Sequence, residues 1–115
     1  MTPDEMREIV LSFSGTEEGV SYGHPAFKVA GKFFTRLRKD DQSVFLTGIH
    51  IDEREMLMKA EPETFHITAH YRDYPAVLAR IATLHPGSFR NFLDRRWREI
   101  APKKLVKEFD AAKAN

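Results

Sequence analysis

The sequence predicts an α+β domain, one five-stranded antiparallel sheet with helices packed on it, and three observations point there. Met6, Ile9, Val10 and Phe13 form an apolar stripe at helical spacing near the N-terminus. Period-two alternation then takes over from Ala26 to Ile49, and a second helical stripe follows Pro86. The resulting order is α-β-β-β-α-β-β-α-α, which fits an antiparallel sheet with segregated helices. A chain of 115 residues suits one domain, so residues 1–115 are read as a single unit.

Each element has a local reason. Thr2-Pro3-Asp4-Glu5 supplies an N-cap, a proline at the first helical position and a glutamate to complete a capping box. This helix should end near Ser14-Gly15, and residues 15–19 read as an acidic surface loop. Phe27 and Val29 alternate with Lys28, and Ala30-Gly31 offers a turn. Phe33, Thr35 and Leu37 alternate with Lys32, Phe34, Arg36 and Arg38. Asp40-Asp41 makes the next turn, and Ser43 to Ile49 gives a third strand, completing a meander. If Phe33 and Leu37 face the core, Lys32, Arg36 and Arg38 stand together on the opposite face.

The second helix is expected from Asp52, with Glu55 closing a capping box and Ile51 and Met56 forming a hydrophobic staple. It stops before Pro62. Phe65 and Ile67 mark a fourth strand. Ala76 to Ile81 marks a fifth, with Arg80 opposite Val77, Ala79 and Ile81. Pro86-Gly87-Ser88 opens the third helix, whose stripe is Phe89, Phe92, Leu93, Trp97 and Ile100. Pro102 ends it, because a residue before proline avoids the helical region. A short closing helix turns Leu105, Val106 and Phe109 inward.

Composition narrows the function. Apolar residues make up 42% of the chain and charged residues 30%, so neither disorder nor a membrane span is expected. The chain lacks cysteine, which removes disulfides and thiolate metal sites, and its acidic N-terminus lacks a signal-peptide layout. A cytoplasmic protein is the expectation. No dinucleotide or phosphate-loop glycine pattern and no nucleophile elbow is present, and no cofactor or enzymatic activity is expected. His66 and His70 lie on a strand pattern, where four residues span roughly 13 Å. That is too far for two imidazoles on one ion, so no metal site is expected. His24 should position a turn, whereas His50 and His85 read as loop residues.

Charge patterning is the strongest functional signal. Residues 90–107 carry a local net charge of +5 and residues 24–39 another +5, although the whole chain is only +1. Such clustering creates a strong local field without a high pI. Solvated helix surface and a lysine-protected strand edge are the alternatives. Trp97 falls on the apolar stripe and reads as core. Phe34, alternating with Arg36, is the better candidate for base stacking.

The chain also resembles the MmcQ/YjbR family of small bacterial proteins over nearly its whole length. The matching residues are Ser21-Tyr22-Gly23-His24-Pro25-Ala26-Phe27, Gly31-Lys32-Phe33-Phe34, His70-Tyr71 with Tyr74-Pro75, and Trp97-Arg98 with Ala101-Pro102. Ala76 stands where that family often has tryptophan. The resemblance implies a two-layer fold similar to type III secretion chaperones, α-β(3)-α-β(2)-α, and a DNA-binding label that rests on fold analogy. It implies no catalytic residue. His24, Lys32, His70, Arg80 and Arg98 are its recurring polar positions.

Together these readings give a non-enzymatic domain that binds nucleic acid, expected to be duplex DNA, through phosphates. Lys32, Arg36, Arg38 and Arg80 would contribute from the sheet, and Arg95, Arg98, Lys103 and Lys104 from the last helices. The alternative is a protein-interaction module with a secretion-chaperone-like surface that binds another protein or itself.

Overall fold

In the computed structural model, which describes residues 1–114, the chain opens with helix α1 (Pro3–Leu11). The Thr2 hydroxyl accepts the Glu5 N–H and the Glu5 carboxylate accepts the Thr2 N–H, both at 3.1 Å, as the sequence predicts. Met6, Ile9 and Val10 are buried.

The next segment departs from expectation. Residues read as an acidic loop form strand β1 (Thr16–Ser21), paired along its length with β2 (His24–Val29). The turn between them, Tyr22-Gly23, has φ of 52° and 78°. Two consecutive positive values give the hairpin geometry whose twist matches that of paired strands. β1 is a sheet edge with Glu17 to Val20 all exposed, so it shows no alternation. A second turn of the same kind, Ala30-Gly31, leads into β3 (Lys32–Arg38), and β4 (Ser43–Thr47) follows.

Helix α2 (Ile51–Ala60) comes next, then a two-residue strand β5 (Phe65–His66), a 3₁₀ turn at Ala69–Tyr71, and β6 (Ala76–Arg80). Helices α3 (Pro86–Ile100) and α4 (Lys103–Ala114) end the chain. The α+β class stands, but the sheet has six antiparallel strands, not five, in the order β1-β2-β3-β4-β6-β5.

The start of α2 also differs. Its cap is His50, whose Nδ1 accepts the Asp52 N–H at 3.2 Å, in place of Asp52 with Glu55. Ile51 and Met56 are both exposed, so the expected staple is not made. His85 caps α3 in the same way, accepting the Gly87 N–H at 3.0 Å.

The most consequential feature is a β-bulge in β3. Lys28 pairs with Phe33 and Phe27 with Thr35, so Phe34 is an extra residue with no partner on β2. A bulge of this kind puts two successive side chains on one side of the sheet. Phe34 and Thr35 are both buried, while Phe33 and Arg36 emerge on the other face. Phe34 therefore packs in the core, edge-on to Phe13 with centroids 5.7 Å apart, and is not the stacking residue expected.

That core lies between one sheet face and the helices. Phe27, Val29, Phe34, Leu37, Val44, Leu46, Val77 and Ala79 from the strands meet Val10, Phe89, Leu93 and Trp97 from the helices. Trp97 is 0% exposed and donates its Nε1–H to Ser14 O at 2.9 Å. Phe109 of α4 closes over it at 4.8 Å.

Candidate nucleic-acid interface

The sheet face turned away from the helices is defined by register. Arg36 sits beside Phe45, which pairs with Leu78, which pairs in turn with His66. In the adjoining row Arg38 pairs with Ser43 and Ser43 with Arg80. Arg36, Arg38 and Arg80 thus share this open face, as the alternation predicts. Lys32 does not join them. It pairs with core-facing Val29 on the other side of the bulge and falls out of phase with Arg36.

Arg36 anchors an aromatic pocket. Its guanidinium lies 5.6 Å from the Phe45 ring centroid and donates to the Tyr71 hydroxyl. The Tyr71 ring sits 4.7 Å from Phe45 and 6.0 Å from Tyr74, and Phe33 lies 6.0 Å from Phe45. Together these five side chains line a cavity of about 250 Å³. A polar groove of about 550 Å³ continues from it, lined by Tyr22, His24, Arg36, Arg38, Asp40, Thr68, His70 and Tyr71. Arg36 and Tyr71 line both, so pocket and groove adjoin along a shared wall as two halves of a depression.

Several residues hold this depression in shape. His24 Nδ1 accepts the Lys39 N–H at 3.0 Å and ties the start of β2 to the β3–β4 turn. His66 Nε2 lies 3.1 Å from Asp41 Oδ2, and the Asp41 Oδ1 accepts the Ser43 N–H at 3.2 Å. Burial opposes ionisation of Asp41. The His66 hydrogen bond, the Arg38 charge and the Ser43 hydrogen bond outweigh it and hold the carboxyl below the usual range. Arg54, only 2% exposed, donates to the carbonyls of Arg72 at 2.8 Å, Tyr74 at 2.9 Å and Ala76 at 3.3 Å. It pins the loop that presents Tyr71 and Tyr74.

The other basic candidates are placed differently. Arg95 forms two 2.8 Å hydrogen bonds with Glu53 of α2. Arg98 bonds Asp110 of α4 through both terminal nitrogens, at 2.9 and 2.8 Å, and Asp94 through Nε. Lys103 and Lys104 are exposed at the start of α4. All four stand on the helical layer, so the two basic segments do not merge into one face. Arg80 is half-buried and donates to Glu63 O at 3.2 Å. Among the described residues no cluster of three or more potential metal ligands occurs, and no helix is long and apolar enough to cross a membrane.

Sequence reasoning missed Phe33, Phe45, Tyr71 and Tyr74 as one group, and Arg54 as their support. The spacing of Tyr71 and Tyr74 in a polar turn was the available signal. A family model described as YjbR matches residues 11–99. The chain belongs to the YjbR family. Uncharacterized proteins of Mycobacterium bovis and of Mycobacterium tuberculosis are 27% identical to it over 93 residues, covering 78% of this chain and 72% of theirs. No solved structure matches it. In this YjbR-family chain, the matched span contains the whole open face and most of α3, while Lys103 and Lys104 fall beyond it. Tyr22, His24, His70 and Tyr71, which carried the resemblance in sequence, converge on the groove, and Tyr74 on the adjoining pocket.

Proposed function

We propose that the protein binds nucleic acid without catalysing a reaction, taking backbone phosphates on Arg36, Arg38 and Arg80 of the open sheet face. The observation that carries this reading is the placement of Arg36 and Arg38 beside aromatic rings in one accessible depression, with Arg80 on the same sheet face in the cross-strand row of Arg38. Arg38 supports it further. Its approach to Asp41 spans 3.9 Å, beyond hydrogen-bond range, and its side chain lines the groove. Such a partner places the protein in the cytoplasm, and no cofactor is needed.

Fluorescence anisotropy with labelled DNA at several salt concentrations tests the reading. Three phosphate contacts give a log–log salt slope of about −2 to −3. Absence of binding at low salt, or a slope near zero, sinks it. A second reading, a protein-interaction module on a secretion-chaperone-like fold, draws support from edge strand β1. There Val20 is 79% exposed and, at the adjoining turn, Tyr22 is 91% exposed. A dimer or protein complex in sedimentation, together with a failed DNA titration, favours it.

A further inference from the structure

We propose that the depression accepts one unpaired nucleotide of a single strand, its base in the Phe33–Phe45–Tyr71–Tyr74 pocket and its phosphate in the groove beside Arg38. This rests on the nucleic-acid reading and replaces the duplex expected from the sequence with a strand whose bases are free to leave the stack.

Two chemistries meet in the depression. The inner pocket is walled by four aromatic rings and the stem of Arg36, which suits a flat, apolar-faced ring. The outer groove carries Arg36 and Arg38 with the imidazoles of His24 and His70, which suit an oxyanion; Asp40 is its one carboxylate. Arg36 stands at the junction, one edge bonded to Tyr71 and its plane over Phe45. A base and its own 5′-phosphate are joined through one sugar, and the shared wall of Arg36 and Tyr71 matches that connection. A duplex cannot use the inner pocket, because its bases are paired and stacked. A lone anion would leave the aromatic walls without a role. Tyr74 is 53% exposed at the pocket rim, placed to close on an entering base. The Arg54 bond to its backbone carbonyl anchors the main chain there and leaves the ring to turn toward the base.

Anisotropy titrations compare a labelled oligothymidylate with a duplex of equal length, for the natural chain and for Tyr74→Ala. The single strand should bind at least about tenfold more tightly than the duplex, and Tyr74→Ala should remove roughly tenfold of that affinity, the size of one base–aromatic stack. Duplex affinity and the salt slope should not change in the variant. Thymidine 5′-monophosphate should perturb the amide resonances of Phe45 and Tyr71, whereas inorganic phosphate alone should leave them in place. Duplex binding as tight as single-strand binding, or an unchanged affinity in a folded Tyr74→Ala, overturns the base pocket while the phosphate reading stands. Failure of both nucleic acids to bind overturns both.

Discussion

Trp97 links three parts of the chain at once. Its ring lies against Phe13 and Phe109, and its indole N–H satisfies the Ser14 carbonyl at the end of the first helical segment. Replacing it with alanine opens a cavity and orphans that carbonyl, so Trp97→Ala should cost about 3–5 kcal/mol in a denaturant melt. Arg54 is the polar counterpart. Arg54→Lys cannot reach three carbonyls with one ammonium, and should cost about 2–3 kcal/mol while loosening the Tyr71–Tyr74 loop. A melt unchanged by that substitution would mean that the loop holds itself. Trp97 was legible because its helical stripe has a fixed period. The Phe33-Phe34 pair was not. Alternation assigns faces only while each residue has one partner, and the extra residue at Phe34 inverted everything before it. Lys32 and Phe33 were consequently assigned to the wrong faces, whereas Arg36, Leu37 and Arg38 were placed correctly.

At the scale of elements, tight turns and carboxylate clamps do most of the joining. Ala30 sits at φ 52°, a left-handed conformation that strains a residue with a Cβ and suits asparagine. Ala30→Asn should therefore stabilise the β2–β3 hairpin by about 0.5–1 kcal/mol, read as a higher denaturant midpoint with an unchanged slope. The sequence disclosed this turn but concealed the one at Tyr22-Gly23, because β1 lacks a buried face to betray it. Clamps then tie the elements: Glu53 to Arg95 joins α2 to α3, and Asp41 to His66 joins the β3–β4 turn to β5. The hydrogen bond from Arg95 holds the Glu53 carboxyl below its ordinary value of 4.5, and Asp41 is held below 3.8. Groups with depressed folded-state values contribute stability that is present above their unfolded values and lost as pH falls through the folded ones. The melting midpoint should therefore change little through these two groups above about pH 5 and drop below about pH 4. Glu53→Gln should flatten part of that drop. An acid limb identical in Glu53→Gln would assign it to other carboxyls.

For the whole molecule, the two basic segments are equal in the sequence, at +5 each, and unequal in the structure. Helical cations are answered within α3 by Asp94 and Glu99, already inside the +5, and from outside the segment by Glu53 and Asp110, which linear counting cannot match to their partners. That is why local charge was readable and its availability was not. The site was legible to the same partial extent: Arg36, Arg38 and Arg80 through alternation, the aromatic pocket hardly at all, since its walls come from β3, β4 and a distant loop. Lys103 and Lys104 remain exposed on the helical layer, so they provide the clean contrast with the sheet. Neutralising the sheet pair, Arg36→Gln with Arg38→Gln, should weaken nucleic-acid binding and flatten the salt slope by about two units, one for each phosphate left without its arginine. Neutralising Lys103→Gln with Lys104→Gln should leave the slope within about half a unit of the natural chain. Denaturant melts on both variants separate a weakened interface from a weakened fold. Equal losses of affinity from the two pairs in folded proteins would require a ligand that wraps the edge of the sheet, and a loss from the helical pair alone would move the interface off the open face.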